Sequence, residues 1–199
     1  MIRVRRRPLL ITAAICAVGL AIWAALGAAN SEPAPSATPP DKRQALEPTA
    51  DAAVNAAAGF LSSMTLDALL SRARRHSVLA VYADPSARRG LEALYAREHR
   101  RVAASYRQGP RVARAALLGY RVDGLSSSTA TVSLWAATIG GSGSYGPTTG
   151  WTTIIVDLTW TARGWRVSAV DERPGPSGEW PIESLASEAK TFRAFRYAP

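Results

Sequence analysis

The chain has 199 residues, a net charge of +9 with 20% charged residues, six tryptophans and a single cysteine. Apolar residues make up 47% of it, which excludes a disordered polar chain and leaves enough for one hydrophobic core of ordinary domain size. The lone Cys16 excludes a disulfide-stapled fold and a thiolate metal site.

The charge is unevenly placed. Arg3, Arg5, Arg6 and Arg7 precede an uncharged, mostly apolar run that opens at Leu9 and closes at Ala29. As a helix rising ~1.5 Å per residue it would measure about 31 Å, the thickness of a bilayer's hydrocarbon core. Residues 9–29 are therefore expected to span a membrane, with the basic tail 1–8 on the cytoplasmic side. A cleaved secretory signal is the competing reading, and Gly27, Ala28 and Ala29 would suit its peptidase. Under both readings the rest of the chain is exported. The anchor reading makes this a single-pass cell-membrane protein with an extracytoplasmic domain.

Residues 30–48 hold five prolines and no apolar periodicity, the composition of a semi-extended tether. Residues 49–176 are expected to form one domain. Thr49 or Asp51 can cap a first helix through Ala52, Val54, Ala57, Phe60 and Leu61. A second helix is predicted after Thr65, continuing loosely toward Val78, Leu79 and Val81. Asp84-Pro85-Ser86 breaks that pattern and starts a third, ending near Gly109-Pro110. On this third helix Leu91, Leu94, Tyr95, Val102 and Tyr106 share one stripe, while Arg89, Arg97, Arg100, Arg101 and Arg107 share the other side. Residues 72 to 121 carry twelve arginines against Asp84, Glu92 and Glu98. Such a basic face suits anionic lipid, DNA or an acidic partner, or is simply a solvated helix face. Glu98 falls within the apolar stripe, where it is expected to pair with Arg121 or Arg166 or to serve as an acid in a pocket.

Beyond Pro110 the hydrophobic period changes to two. Strands are predicted over residues 113–123, 129–139, 151–161 and 165–173, with residues 140–150 as a flexible glycine-rich loop. In the third strand Ile154, Val156, Leu158 and Trp160 form the core-facing set; Trp151 and Ile155 lie on the opposite face and need a second layer or a partner to cover them. Short connections make the sheet an antiparallel meander, and helices followed by strands make the fold α+β. Residues 177–199 are an amphipathic tail, with Ile182, Leu185, Ala189 and Phe192 at helical spacing. It is expected to dock on its own sheet or bind a partner.

The Ala-rich helix of residues 52–63, Gly119-Tyr120-Arg121-Val122, residues 130–135 and 151–160, and Gly164-Trp165-Arg166-Val167 with Gly175-Pro176 together cover most of residues 50–176. In these segments the chain resembles the cystatin-like cone of the nuclear transport factor 2-like superfamily. More narrowly, it resembles actinobacterial bitopic proteins of conjugative elements and the inner-membrane assembly protein of type IV secretion systems; Mce-associated membrane proteins share the layout. The resemblance implies three helices packed on a curved four-stranded sheet with a short C-terminal helix. It also implies a non-enzymatic scaffold that takes no cofactor or metal and contacts other membrane-assembly proteins or a second copy of itself. Its expected partner-binding residues are Trp151, Ile155 and the five arginines of the third helix. An enzyme reading rests on other cones of that superfamily and would use Glu98 or Asp157 as proton acceptor, with Tyr120 and His99 nearby.

Overall fold

The computed structural model describes residues 47–103, 111–142 and 145–195. The apolar run 9–29, the tail before it and most of the tether lie outside the described residues, as do Tyr106, Arg107 and the expected end of the third helix. Among the described residues no helix is long and apolar enough to cross a membrane.

The architecture is α+β. Helix α1 (Ala50–Ser63) is capped by Thr49, whose hydroxyl accepts from the Ala52 amide at 3.2 Å. What reads in sequence as one second helix is two: α2 (Leu66–Leu70), capped by Thr65, and α3 (Arg72–Tyr82), capped by Ser71. Ser71 adopts ψ 116°, an extended conformation that breaks the helix, and its side chain accepts from the Arg74 amide. Helix α4 (Arg88–Val102) follows the Asp84 turn, in which the carboxylate accepts from the Ser86 amide at 2.8 Å. Four helices rather than three thus precede the sheet.

The sheet is antiparallel, with β1 (Arg111–Leu125), β2 (Thr129–Ser142), β3 (Tyr145–Thr161), β4 (Gly164–Pro174) and a two-residue β5 (Arg193–Ala194), in the order β4-β3-β2-β1-β5. It therefore has five strands, one more than expected. The glycine-rich stretch is also not a loop throughout: the β2–β3 pairing runs on through Thr138↔Gly150 and Gly140↔Thr148. Side chains reinforce it, the Thr138 and Thr148 hydroxyls donating to the carbonyls of Gly150 and Gly140. Glycine is used for proximity here, since a Cβ on Gly150 would lie 2.7 Å from the Thr138 hydroxyl.

The core fills the space between the inner face of the sheet and α1–α4. Val132, Leu134 and Ala136 of β2, Ile154, Val156 and Leu158 of β3, and Val167 of β4 are buried against Ala53, Ala57, Phe60, Leu69, Leu79, Leu91 and Tyr95. The Phe60 ring lies 6.1 Å from that of Tyr82 and 6.2 Å from that of Tyr95. Full burial of such side chains contributes about 1.5–3 kcal/mol each. The Trp165 indole donates to the Thr49 carbonyl at 3.3 Å and stacks edge-on against Trp160 at 5.1 Å, tying the start of α1 to the β3–β4 hairpin.

Helix α5 (Ile182–Ala189) lies on the other side of the sheet. After β4, the Gly175 amide bonds to the Trp151 carbonyl at 2.9 Å. A Cβ on Gly175 would lie 2.7 Å from the Thr152 carbonyl carbon, so the turn needs a residue without one. Gly175→Ala is expected to lower stability by about 2 kcal/mol, read as a shift of the urea midpoint without a change in m-value.

Candidate docking surfaces

The outer face of the sheet carries Arg121 and Asp123 of β1, Ser133 and Trp135 of β2, and Trp151, Thr153 and Ile155 of β3. Their registers, Trp135↔Thr153 and Arg121↔Ser133, place them opposite the buried set. The C-terminal segment straps part of this face. The Trp135 indole donates to the Pro176 carbonyl at 3.1 Å, and its ring lies 6.0 Å from both Trp151 and Phe192. Arg121 is the clasp: its guanidinium donates to the Thr191 hydroxyl at 2.6 Å, lies 3.6 Å from Glu188 and sits 4.9 Å over the Phe192 ring. Arg173 adds a second contact to Glu188 at 3.7 Å. The chain then turns round the β1 edge, where Gly119 pairs with Ala194, and brings Phe195 to within 5.1 Å of Tyr120 on the inner side.

The strap leaves part of the outer face open. None of the residues of α5 is fully buried. Trp151 remains 38% exposed and Ile139, two rungs along the same face, 49%. Ile155 is half-buried. The face thus presents an aromatic row whose inner end, Trp135 against Phe192, is fixed and whose outer end, Trp151, is free to meet a second surface. Aromatic side chains held rigidly from below are the usual anchors of such contacts.

Helix α4 carries the basic face. Arg89, Arg97, Arg100 and Arg101 are all exposed; Arg107 lies outside the described residues. Among the described residues no carboxylate pairs with Arg89, Arg97 or Arg100, whereas Arg101 bonds Glu98 at 3.0 Å. Glu98 is therefore paired along its own helix and not with the sheet, because both expected partners are engaged elsewhere. Arg121 serves Asp123 and the strap, and Arg166 donates to the Trp165 carbonyl.

Glu98 is 3% exposed and its Oε2 has no hydrogen-bond partner. Burial pushes its carboxyl above the ordinary range, and Arg101 and Arg97 pull it partly back. Facing the same core from β4 is Glu172, neither of whose carboxylate oxygens has a hydrogen-bond partner among the described residues or meets solvent. Burial raises its pKa to about 8; the neighbouring Thr152 hydroxyl counters this without closing a hydrogen bond, and Glu98 and Asp171 add repulsion. The Tyr95 hydroxyl between them is pushed up by burial, with Glu172 and Glu98 contributing.

The four side chains an enzyme would use do not converge. Glu98 is in the core, Tyr120 packs on Phe195, and Asp157 lies on the outer face accepting from the Thr131 hydroxyl at 2.7 Å. His99 is half-buried on α4 beside Glu98. Among the described residues no group of three His, Cys, Asp or Glu side chains could hold a metal ion.

Three features had no counterpart in the sequence reading. Arg75 is 3% exposed within the helices, donating to the Leu69 carbonyl at 2.7 Å and through two nitrogens to Glu92. Glu172 lies in a strand of mixed polarity, where no periodic signal marks it as buried. A half-open cleft of about 1140 Å³ lies between α1 and the sheet, bordered by Tyr120, Trp160, Phe195 and several arginines.

No protein-family model matches the chain, and no curated protein does. Among solved structures, the intermembrane space region of the chloroplast protein ARC6 matches 60% of this chain and 95% of its own, at 13% identity and a TM-score of 0.38.

Proposed function

We propose that this chain is a membrane-anchored, non-enzymatic scaffold that docks its α+β domain onto other proteins of a conjugation- or secretion-like assembly. The observation that carries the reading is the aromatic row on the outer face of the sheet: Trp135 is locked by Pro176 and Phe192, while its neighbour Trp151 is 38% exposed. A rigid aromatic end on a face otherwise strapped by the chain itself is built for contact rather than for the core. Arg89, Arg97 and Arg100, without an ion pair among the described residues, offer a second, basic surface to an acidic partner, where screening would make binding weaken with salt.

Chemical crosslinking of the full chain in its host membrane, followed by identification of the products, tests this. Other membrane-assembly proteins are expected, with the yield falling roughly tenfold in Trp151→Ala. Recovery of a lipid-transport assembly instead, or products indifferent to Trp151→Ala, would overturn it.

A further inference from the structure

The cleft under α1 has a floor and walls of different character. Tyr120 and Phe195, in contact at 5.1 Å, close one end, and Trp160, edge-on to the buried Trp165, closes the other. The Trp165 bond to the Thr49 carbonyl fixes α1 over this floor, so the space is built into the fold rather than left by a mobile side chain. Its rim at the β3–β4 hairpin carries Arg163, exposed in the turn, and Arg166, half-buried. The start of α4 brings Arg88 to the same corner, because the Asp84 amide bonds the Val167 carbonyl at 2.8 Å.

These three guanidinium groups have no carboxylate within ion-pair distance among the described residues, and the Arg88 Nε is a buried donor with no partner. The neighbouring Asp84 carboxylate accepts from the Ser86 amide and hydroxyl and attracts Arg88 without closing an ion pair, while Arg88 and Arg166 each donate one hydrogen bond to a backbone carbonyl, of Ala80 and Trp165, and keep further donors for a ligand. Burial lowers the pKa of Arg166, and repulsion from Arg163 and Arg88 lowers it further. Crowded cations beside an apolar trough call for an oxyanion, which guanidinium groups bind through charge-assisted hydrogen bonds.

We infer that this cleft binds an amphiphile whose oxyanion head, a phosphate or carboxylate, sits between Arg163 and Arg166 and whose apolar body lies over Trp160 toward Tyr120 and Phe195. The volume of about 1140 Å³ is ample for such a ligand. Glu47 and Asp51 flank Thr49 at the hairpin end and Arg193 lines the cleft beside Tyr120, so the head is selected by direct hydrogen bonds from Arg163 and Arg166 rather than by the net charge of the cleft. The site is separate from the outer-face row and does not depend on the scaffold reading.

The test uses the full chain in nanodiscs of zwitterionic phosphatidylcholine, with octyl phosphate as the probe and the thermal midpoint as readout. Saturable protection of several degrees is expected, with inorganic phosphate at least tenfold weaker and octylammonium without effect. Protection should be lost in Arg163→Ser/Arg166→Ser and weakened in Arg163→Glu, a change in an exposed turn that leaves packing intact. Protection by phosphatidylglycerol discs with no added probe would assign the head to a membrane lipid; protection by octyl phosphate alone would assign it to a free amphiphile. Both support the site. Equal protection by octylammonium, protection unchanged in Arg163→Glu, or no protection by any anionic arm would overturn it.

Discussion

Replacing Glu172 by glutamine raises the stability of the α+β domain by about 2 kcal/mol near pH 8.5 and leaves it nearly unchanged near pH 4. The two carboxylate oxygens of Glu172 are shut away from solvent, and among the described residues neither closes a hydrogen bond, the Thr152 hydroxyl offering only partial relief. Burial and the neighbouring Glu98 and Asp171 hold its pKa at about 8 in the folded chain, against an ordinary value of 4.5. Below the ordinary value the acid is neutral in both states and costs nothing by ionising. Between 4.5 and about 8 the unfolded chain releases the proton while the folded chain keeps it, so stability falls as pH rises. Above about 8 the loss levels off. Each pKa unit corresponds to about 1.4 kcal/mol, so the full span from 4.5 to about 8 would be of order 5 kcal/mol. Somewhat less than half of that is expected, since relaxation around the half-buried residue reduces the cost of ionising it, while the neutral amide stands in for the protonated acid at low pH. Glu98, raised by burial, contributes in the same direction. Urea unfolding across this pH range reads the effect directly. Stability that rises with pH, or a glutamine variant with the wild-type profile, would contradict the assignment.

The second large effect belongs to Arg75 and Glu92. Arg75 is 3% exposed on its side chain and Glu92 27%, and two nitrogens of the guanidinium share Glu92 Oε1 at 3.1 and 2.9 Å. Removing either partner breaks a largely buried pair, at a cost of about 3–5 kcal/mol. The two changes are not equivalent. Arg75→Met removes the buried cation and leaves a carboxylate whose side chain is already 27% exposed, its Oε2 buried and without a hydrogen-bond partner among the described residues, and the Leu69 carbonyl without its guanidinium donor. Glu92→Ala leaves the cation in place with nothing but that carbonyl to hold it. Glu92→Ala is therefore expected to be the more damaging, near the top of the range, with Arg75→Met near the bottom. Chemical denaturation of the two variants ranks them, and the reverse order would show that Arg75 matters through packing rather than charge.

These two sites also mark where reading the sequence stops. The four long strands were legible because alternation survives in Val132, Leu134, Ile154, Val156 and Leu158, all of which are buried. The start of the first helix is legible because Thr49, one of two candidate caps beside Asp51, is a short hydroxyl side chain ahead of an apolar run; the start after Thr65 is legible too, although Thr65's own capping bond to the Ala68 amide is not. The break at Ser71 was not, since Leu69, Leu70, Val78 and Leu79 keep an approximate helical period across it. Nor was Arg75, because the pattern that buries a charged residue is set by what surrounds it in space. The place of Glu98 on the apolar stripe is legible, but periodicity alone does not say that its partner is Arg101, three residues along its own helix, rather than a residue of the sheet. Tail docking was an open alternative in the sequence; the strap itself rests on Arg121, Glu188, Thr191 and Phe192, which are separated by some seventy residues in sequence. The expected partner surface divides similarly: Trp151, Arg89, Arg97, Arg100 and Arg101 lie at the surface, Ile155 is half-covered, and Arg107 lies outside the described residues.

Trp151 is the proposed contact residue for another protein. A photo-activatable amino acid placed at position 151 of the full chain, and at the exposed turn residue Ala162 as a control, tests this in the native membrane. The scaffold reading predicts discrete crosslinked products from position 151, containing other membrane-assembly proteins, and none from position 162. Labelling by solvent alone at position 151, or the same products from both positions, would contradict it.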